Sequence, residues 1–364
     1  MPQTVSVVIP AYNSSTTIEA TLQSVFNQTF RDFEIVVVDD GSTDATRQIL
    51  ERLQATDSRL AVIHQSNSGV AIARNTGIKA SKGAYIAFLD ADDLWHPTKL
   101  EKQVAVLSQC PPDVAMVYCW SRLIDEEDAV IASVTPLRMS EWVFNQHVYI
   151  NPLGNGSGLL IRKKAARKIG GFDDALRAEK IPGAEDLLFQ LRIAANWKAR
   201  VVPEYLVGYR MTRSNFSADK ERMYRSIIRS IDLASRDAGR FPHKAARWSK
   251  AAFLFDLISY HLIRKHPVTA VGRGIQAIVC DPKMVLDRLA FAIRKRTTTH
   301  MDASVGHNFD QVDPGQAGHP VSHLMRKRLT ILARLDAEAH QKHAIPAAHS
   351  HKSQGANVAQ FGRA

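Results

Sequence analysis

Three short apolar runs, each stopped by polar residues, constrain this chain more than any other feature. Residues 5–10 (VSVVIP), 33–38 (FEIVVV) and 85–89 (YIAFL) are continuously hydrophobic, the pattern of strands buried on both faces of a sheet. The segments between them have helical spacing. Ile18, Leu22, Val25 and Phe26 predict a helix entered from Asn13 and Ser14. Ile49, Leu50 and Leu53 predict a second over 42–53, and residues 70–80 a third. A short strand over 60–64 precedes the Ser66-Asn67-Ser68-Gly69 turn. Strands and helices alternating over short links imply right-handed crossovers and a mainly parallel sheet covered by helices, an α/β fold.

In such a sheet, ligands bind beyond the carboxyl ends of the strands. Residues 10–12, Asp39-Asp40 and Asp90-Ala91-Asp92-Asp93 all fall there. Acids converging on one edge repel one another unless a cation joins them, which points to a divalent metal on hard oxygen ligands. Arg74 and Asn75 lie one turn into the helix after Gly69. From there the arginine reaches either a ligand anion or the acidic edge itself.

Residues 100–217 are less regular. Helices are predicted near 100–108, 163–169 and 185–196, and strands near 114–120 and 158–161, the latter entered from the glycine-rich stretch 154–158. Beyond about residue 217 the periodicity is helical, over 223–235, 245–263 and 283–293. From about 297 the chain turns rich in His, Ala, Gln and Ser, and disorder is expected. Charge is divided unevenly: residues 1–217 carry 23 Lys and Arg against 24 Asp and Glu, residues 218–364 carry 24 against 12. The basic half suits an anionic surface. Phe253, Leu254, Leu257, Ile258 and Leu262, beside Arg264, Lys265, Arg288, Arg294, Lys295 and Arg296, suggest peripheral contact with an anionic membrane, or equally packing onto the rest of the protein.

Three cysteines fit neither a disulfide framework nor a zinc site. The first ten residues lack a basic region followed by an apolar one, and no uncharged apolar stretch reaches the roughly 18 residues of a membrane span. A cytoplasmic location is expected.

The blocks VSVVIPAYN (5–13), VVVDDGSTD (36–44), SGVAIARNTGI (68–78) and AYIAFLDADDLW (84–95) together resemble the nucleotide-binding half of family 2 glycosyltransferases. The likeness continues through SGLLIRKKAARKIGGFDD (157–174) and GAEDLLFQLRIA (183–194), covering roughly residues 4–215. Each block alone is a weak signal, but four in family order and spacing are a strong one.

The resemblance implies a GT-A fold, residues 1–217 as the catalytic domain (1–110 for the nucleotide sugar, 111–217 for the acceptor), a basic helical extension over 218–296 and a tail over 297–364. It further implies an inverting enzyme, Ala11 and Tyr12 beside the base, Asp39 on the base imide or ribose, Asp90 on the ribose, Arg74 near the diphosphate and Asp92 on Mg²⁺ or Mn²⁺. Asn155, Gly156 and Ser157 would border the donor sugar and acceptor with Glu185. Asp186 would be the general base, since a hydroxyl nucleophile needs a carboxylate to receive its proton.

The expected partners are a nucleotide-diphosphate sugar, UDP-linked, and a saccharide or lipid-linked acceptor in cell-surface polysaccharide synthesis, with no nucleic acid. Trp95, Trp142 and Trp197 are candidate sugar platforms. The Gln-x-x-Arg-Trp motif and membrane helices of processive synthases are missing, which favours single addition. Tyr209-Arg210 with residues 214–217 resembles the domain end of single-addition enzymes, without the histidine often found there. A sugar-1-phosphate nucleotidyltransferase would carry a glycine-rich loop after the first strand, where this chain has AYNSSTT. A non-catalytic sugar-nucleotide or polyanion-binding module is the remaining alternative.

Overall fold

A computed structural model describes residues 4–151, 155–212, 219–297, 304–315 and 322–343. Nine strands form one sheet: β1 (Val5–Ala11), β2 (Phe33–Asp39), β3 (Leu60–His64), β4 (Tyr85–Phe88), β5 (Leu94–Trp95), β6 (Val114–Ile124), β7 (Val130–Ser133), β8 (Leu159–Arg162) and β9 (Lys198–Arg210). Their order is β3-β2-β1-β4-β8-β6-β9-β5, with β7 beside β6.

The first half is parallel, and Ala11 lies opposite Asp39 and Val8 opposite Phe88. All seven residues of β1 and of β2 are buried, because helices cover both faces. On one face α1 (Ile18–Phe26), α2 (Thr46–Gln54) and α4 (Lys99–Ser108) contribute Leu22, Leu50 and Leu100. On the other, α3 (Val70–Ala80), α5 (Phe144–Tyr149), α6 (Lys163–Lys168) and α8 (Glu185–Asn196) contribute Ala71, Val148, Ala165 and Phe189. A four-residue helix, α7 (Ala175–Ala178), precedes α8. After β3 the chain returns to the other side of β1, so β1 and β4 flank the point where strand order reverses, the usual mouth of a ligand site.

β9, thirteen residues long beside β6, is absent from the sequence expectations. Lys198, Arg200, Pro203 and Glu204 break its hydrophobic pattern, and the register against β6 jumps from Cys119–Val202 to Trp120–Tyr205, which bulges Pro203 and Glu204 out of the ladder.

The extension comprises α9 (Lys220–Asp237), α10 (His243–Ile263), α11 (Pro267–Cys280) and α12 (Pro282–Thr297). No helix among the described residues is long and apolar enough to cross a membrane. The disorder expected from 297 onward is not what the described part of that segment adopts. Phe309 buries against Ile124 and Val130, and the Tyr205 N–H donates to the Pro314 carbonyl at 2.8 Å. Further on, α13 (His323–His343) packs on α5: the Asp336 carboxylate accepts from the Asn145 backbone N–H and from its amide Nδ2, each at 2.8 Å. One buried aspartate and a few apolar anchors order a segment whose average composition is polar. Residues 214–217 and Gly154 lie outside the described residues, as do the side chains of Arg294, Lys295 and Arg296.

Candidate active site

The carboxyl ends of β1, β2 and β4 open into a cavity of about 1140 Å³. Its strand side carries Ala11, Tyr12, Asp40, Arg74, Asp90, Asp92, Asn155, Glu185 and Asp186; its far side is walled by α9, α10, α12 and the start of α13. Tyr12 stands half-exposed at the rim. Behind it the β1 and β2 loops are tied together: the Asn13 N–H donates to Ser42 Oγ at 3.0 Å, and Asn13 Oδ1 accepts from the Thr43 N–H at 2.8 Å.

The two aspartates after β2 face different ways. Asp39 is buried outside the cavity lining and accepts from the Ser42 N–H at 3.0 Å, with His64 Nδ1 at 2.9 Å. Burial opposes its charge, but these bonds outweigh burial and hold its pKa below the ordinary value. Asp40 accepts from Ser68 N–H at 2.9 Å, Gly69 N–H at 2.8 Å and Gln65 Nε2 at 2.7 Å. It thereby shapes the entry to α3, where Gly69 takes a left-handed φ of 91°.

Asp90, Asp92 and Asp93 have three distinct environments. The Arg74 guanidinium, buried and over the Phe172 ring at 5.1 Å, donates to Asp90 Oδ1 at 2.5 Å. Burial opposes the guanidinium charge, yet Asp90 and Asp186 hold it firmly protonated. Asp93 is fully buried and is an internal brace: Ser157 Oγ donates to it at 2.6 Å, Asn155 Nδ2 at 3.2 Å and the Arg210 N–H at 3.0 Å. Burial and then Asp92 push its pKa well up. Ser157 Oγ also accepts from the Asp90 N–H at 3.0 Å, and Arg210 Nε donates to the Asp92 carbonyl at 2.8 Å, so the segment entering β8 and the end of β9 fix the acidic turn.

Asp92 is left facing the cavity. Burial and the neighbouring Asp90 raise its pKa to about 6, and among the described residues no side-chain donor takes its carboxylate. An aspartate held in that state suits a hard divalent cation, which would restore its charge. No cluster of three or more metal-ligating side chains exists among the described residues, so the remaining ligands would come from a bound substrate's oxygens or water.

Gly156 lies between Arg74 and Asp186; a Cβ there would meet Arg74 Nη2 at 3.5 Å and Asp186 Cβ at 3.9 Å. At the start of α8, Glu185 is buried and accepts from the Gly183 N–H at 2.9 Å. Asp186 accepts from the Leu187 N–H at 2.7 Å, and its pKa rises to about 6, through burial first and opposed by Arg74. A carboxylate with that pKa beside an open cavity can take a proton near neutral pH.

None of the three tryptophans lines the cavity. Trp95 donates to the Ser157 carbonyl at 2.9 Å and carries Lys99 on its face, Trp142 stacks on His340 with centroids 3.3 Å apart, and Trp197 lies at a separate hollow. The sequence reading missed His147, Tyr149 and Arg177, which do line it. His147 is buried and its pKa falls to about 4, so its ring is neutral. Gln190 Nε2 donates to the Asn155 carbonyl at 3.2 Å, leaving Gln190 Oε1 to accept from the His147 Nε2–H at 3.1 Å.

Comparison with known proteins agrees with this architecture. Residues 6–169 match the family model described as glycosyl transferase family 2. The chain is 44% identical over 106 residues, 29% of its length and 42% of the relative's, to a putative teichuronic acid biosynthesis glycosyltransferase, TuaG, of Bacillus subtilis. It is 40% identical over 131 residues, 36% of its length and 50% of the relative's, to the Escherichia coli UDP-Glc:alpha-D-GlcNAc-diphosphoundecaprenol beta-1,3-glucosyltransferase WfaP. The chain thus spans about half the length of the curated relatives it matches. Among solved structures, the mannosyltransferase PcManGT of Pyrobaculum calidifontis, in complex with GDP-Man and Mn²⁺, superposes with a TM-score of 0.54 at 20% identity, over 94% of this chain and 87% of that one.

Proposed function

This chain belongs to glycosyl transferase family 2 through residues 6–169, and on that premise we propose that it transfers a sugar from a nucleotide-diphosphate donor to a hydroxyl of a lipid-linked saccharide, with inversion. The observation that carries the proposal is the division of labour among the acids. Arg74 neutralises Asp90, Asp93 is consumed internally, and Asp92 and Asp186 remain in the cavity with pKa values raised to about 6.

In this reading the nucleotide lies along the β1 and β2 ends, its base against Ala11 and Tyr12 and its ribose toward Asp90, with Asp39 shaping that wall from behind through the Ser42 loop. Arg74 faces the diphosphate. Asp92 would hold Mg²⁺ or Mn²⁺, which supplies charge neutralisation for the departing diphosphate. Asn155 and Glu185 border the sugar, while Ser157, fully buried and outside the cavity lining, acts from behind through Asp93 and the Asp90 N–H; Gly156 packs between Arg74 and Asp186 and keeps the two side by side. The acceptor oxygen attacks the anomeric carbon from the Asp186 side. The carbon–oxygen bond to the diphosphate breaks as the new glycosidic bond forms, and the hydroxyl proton passes to the Asp186 carboxylate. One displacement inverts configuration with no covalent enzyme intermediate.

Residues 1–217 form the catalytic unit, with 111–217 serving the acceptor and helices 218–296 closing the cavity. The apolar side chains of that wall, Met223, Ile227, Phe253 and Met284, favour an acceptor with a lipid portion, and WfaP, named for a diphosphoundecaprenol acceptor, supports it. UDP is the donor base favoured by the same relative. Such an acceptor resides in a membrane, so a cytosolic enzyme with peripheral membrane contact is implied.

Thermal melting with UDP-, GDP- and dTDP-sugars, with Mn²⁺ or with EDTA, tests the donor site. A ligand binding only the folded chain raises the melting temperature by mass action. Stabilisation by UDP-sugars that needs Mn²⁺ and vanishes in Asp92→Ala supports the reading. No shift with any nucleotide at millimolar concentration overturns it.

A further inference from the structure

α11 exposes an apolar face that no part of the described chain covers. Val268, Val271, Ile275, Ile278 and Val279 are all exposed, Val268 and Val279 to 85% and 78%. At 100° per residue these five occupy an arc of about 100° on one side of the helix, while Ala270 and Ala277 on the other side are buried. Leu262 and Ile263 at the end of α10, and Leu286 and Leu289 on α12, extend the exposed apolar surface on either side. Monomeric soluble proteins rarely leave such a surface uncovered.

Charge decides what covers it. Between Leu262 and Leu286 the sole acid is Asp281, which is buried and paired with Arg328 at 2.5 Å. Arg264, Lys265 and Lys283 are exposed in the same stretch. A two-fold contact between copies would press this patch against itself and set those cations against their own counterparts. An anionic bilayer takes the apolar side chains into its interface and the cations onto its headgroups.

We propose that the end of α10, the outer face of α11 and the start of α12 form a docking surface for an anionic lipid bilayer. The inference rests on the lipid-linked acceptor reading and gives it a geometry. α12 turns Met284, Asp287 and Arg288 into the cavity wall and Leu286 and Leu289 outward. One helix, about 10 Å thick, therefore separates the bilayer from the acceptor side of the cavity.

Sedimentation of the full chain with vesicles tests this, using phosphatidylcholine alone and phosphatidylcholine mixed with phosphatidylglycerol. The wild type is expected to bind the phosphatidylglycerol vesicles in a salt-sensitive manner and to leave the neutral ones. Val271→Glu with Ile275→Glu should weaken binding at least tenfold, and Lys265→Glu with Lys283→Glu should do the same. Both double variants should keep the wild-type melting temperature and donor-nucleotide stabilisation, being remote from the donor site. Binding unchanged in either double variant, no binding to phosphatidylglycerol vesicles, or a dimer that Val271→Glu dissociates would each overturn the proposal. Loss of nucleotide stabilisation in the wild type would instead strike the catalytic reading, and the two failures are separable in the same preparations.

Discussion

Arg74 Nη2 meets Asp90 Oδ1 at 2.5 Å with the guanidinium buried against Phe172. This pair is what lets three aspartates share one turn. Without the cation, Asp90 would repel both Asp92 and Asp186, the two carboxylates left for chemistry. Arg74→Ala should therefore destabilise the fold by about 3 kcal/mol, the cost of stranding one member of a buried pair, and weaken donor binding at least tenfold. Urea denaturation and nucleotide titration check this. Full-strength donor binding in a folded Arg74→Ala protein would rule out a role near the diphosphate.

Asp186 sits with its pKa raised to about 6, above the ordinary 3.8, because burial disfavours its charge. The folded state thus favours the protonated acid, and its stability contribution, present below about pH 3.8, is lost as pH rises through about 6. At neutral pH the ionised group is a cost, so Asp186→Asn should stabilise the protein by about 1–3 kcal/mol while lowering kcat by about 10²–10⁴. Calorimetry and turnover on one preparation show whether the two effects move in opposite directions.

The same shift governs the pH profile. A base must be ionised to accept a proton, so with saturating Mn²⁺ holding Asp92 ionised, kcat/KM should fall about tenfold per pH unit below about pH 6 and be level above it on the acid limb. A rate rising toward pH 5 would mean that the group is needed as an acid.

The strands of the parallel half and the acidic turn were legible because each depends on local pattern: unbroken apolar runs ended by Asp39-Asp40 and Asp90 to Asp93. The environments of those acids were not. Nothing in the sequence distinguishes Asp93, fully buried under Ser157 and Asn155, from Asp92, open to the cavity; the difference comes from the segment that enters β8, more than 60 residues away. β9 was hidden by the bulge at Pro203, and α11 by the glycines and β-branched residues that depress helix propensity. His340 stacking on Trp142 and Asp336 on α5 are contacts across nearly 200 residues, invisible to any window.

Ser157 Oγ couples two acids by donating to Asp93 and accepting from the Asp90 N–H. Ser157→Ala removes one of the three donors to the buried Asp93 carboxyl and leaves the Asp90 N–H without its acceptor, and should cost about 1–3 kcal/mol. Donor affinity should fall with stability, because the turn carrying Asp92 loses its brace. Chemical denaturation with parallel nucleotide titration reads both.

Asp336 satisfies the start of α5, whose residues His147 and Tyr149 line the cavity. Asp336→Ala should destabilise by about 1–3 kcal/mol and raise the acceptor KM more than the donor KM, because α5 belongs to the half proposed to serve the acceptor. Equal effects on both substrates would place the damage in the whole fold.

The most direct test is release of UDP from UDP-sugars with Mn²⁺ and a polyprenyl-diphosphate-linked sugar, comparing wild type with Asp186→Asn. Acceptor-dependent release by the wild type, with a product of inverted anomeric configuration and loss of turnover but not of donor binding in Asp186→Asn, is the predicted result. Donor binding without acceptor-dependent release by the wild type, or undiminished turnover by Asp186→Asn, would contradict it.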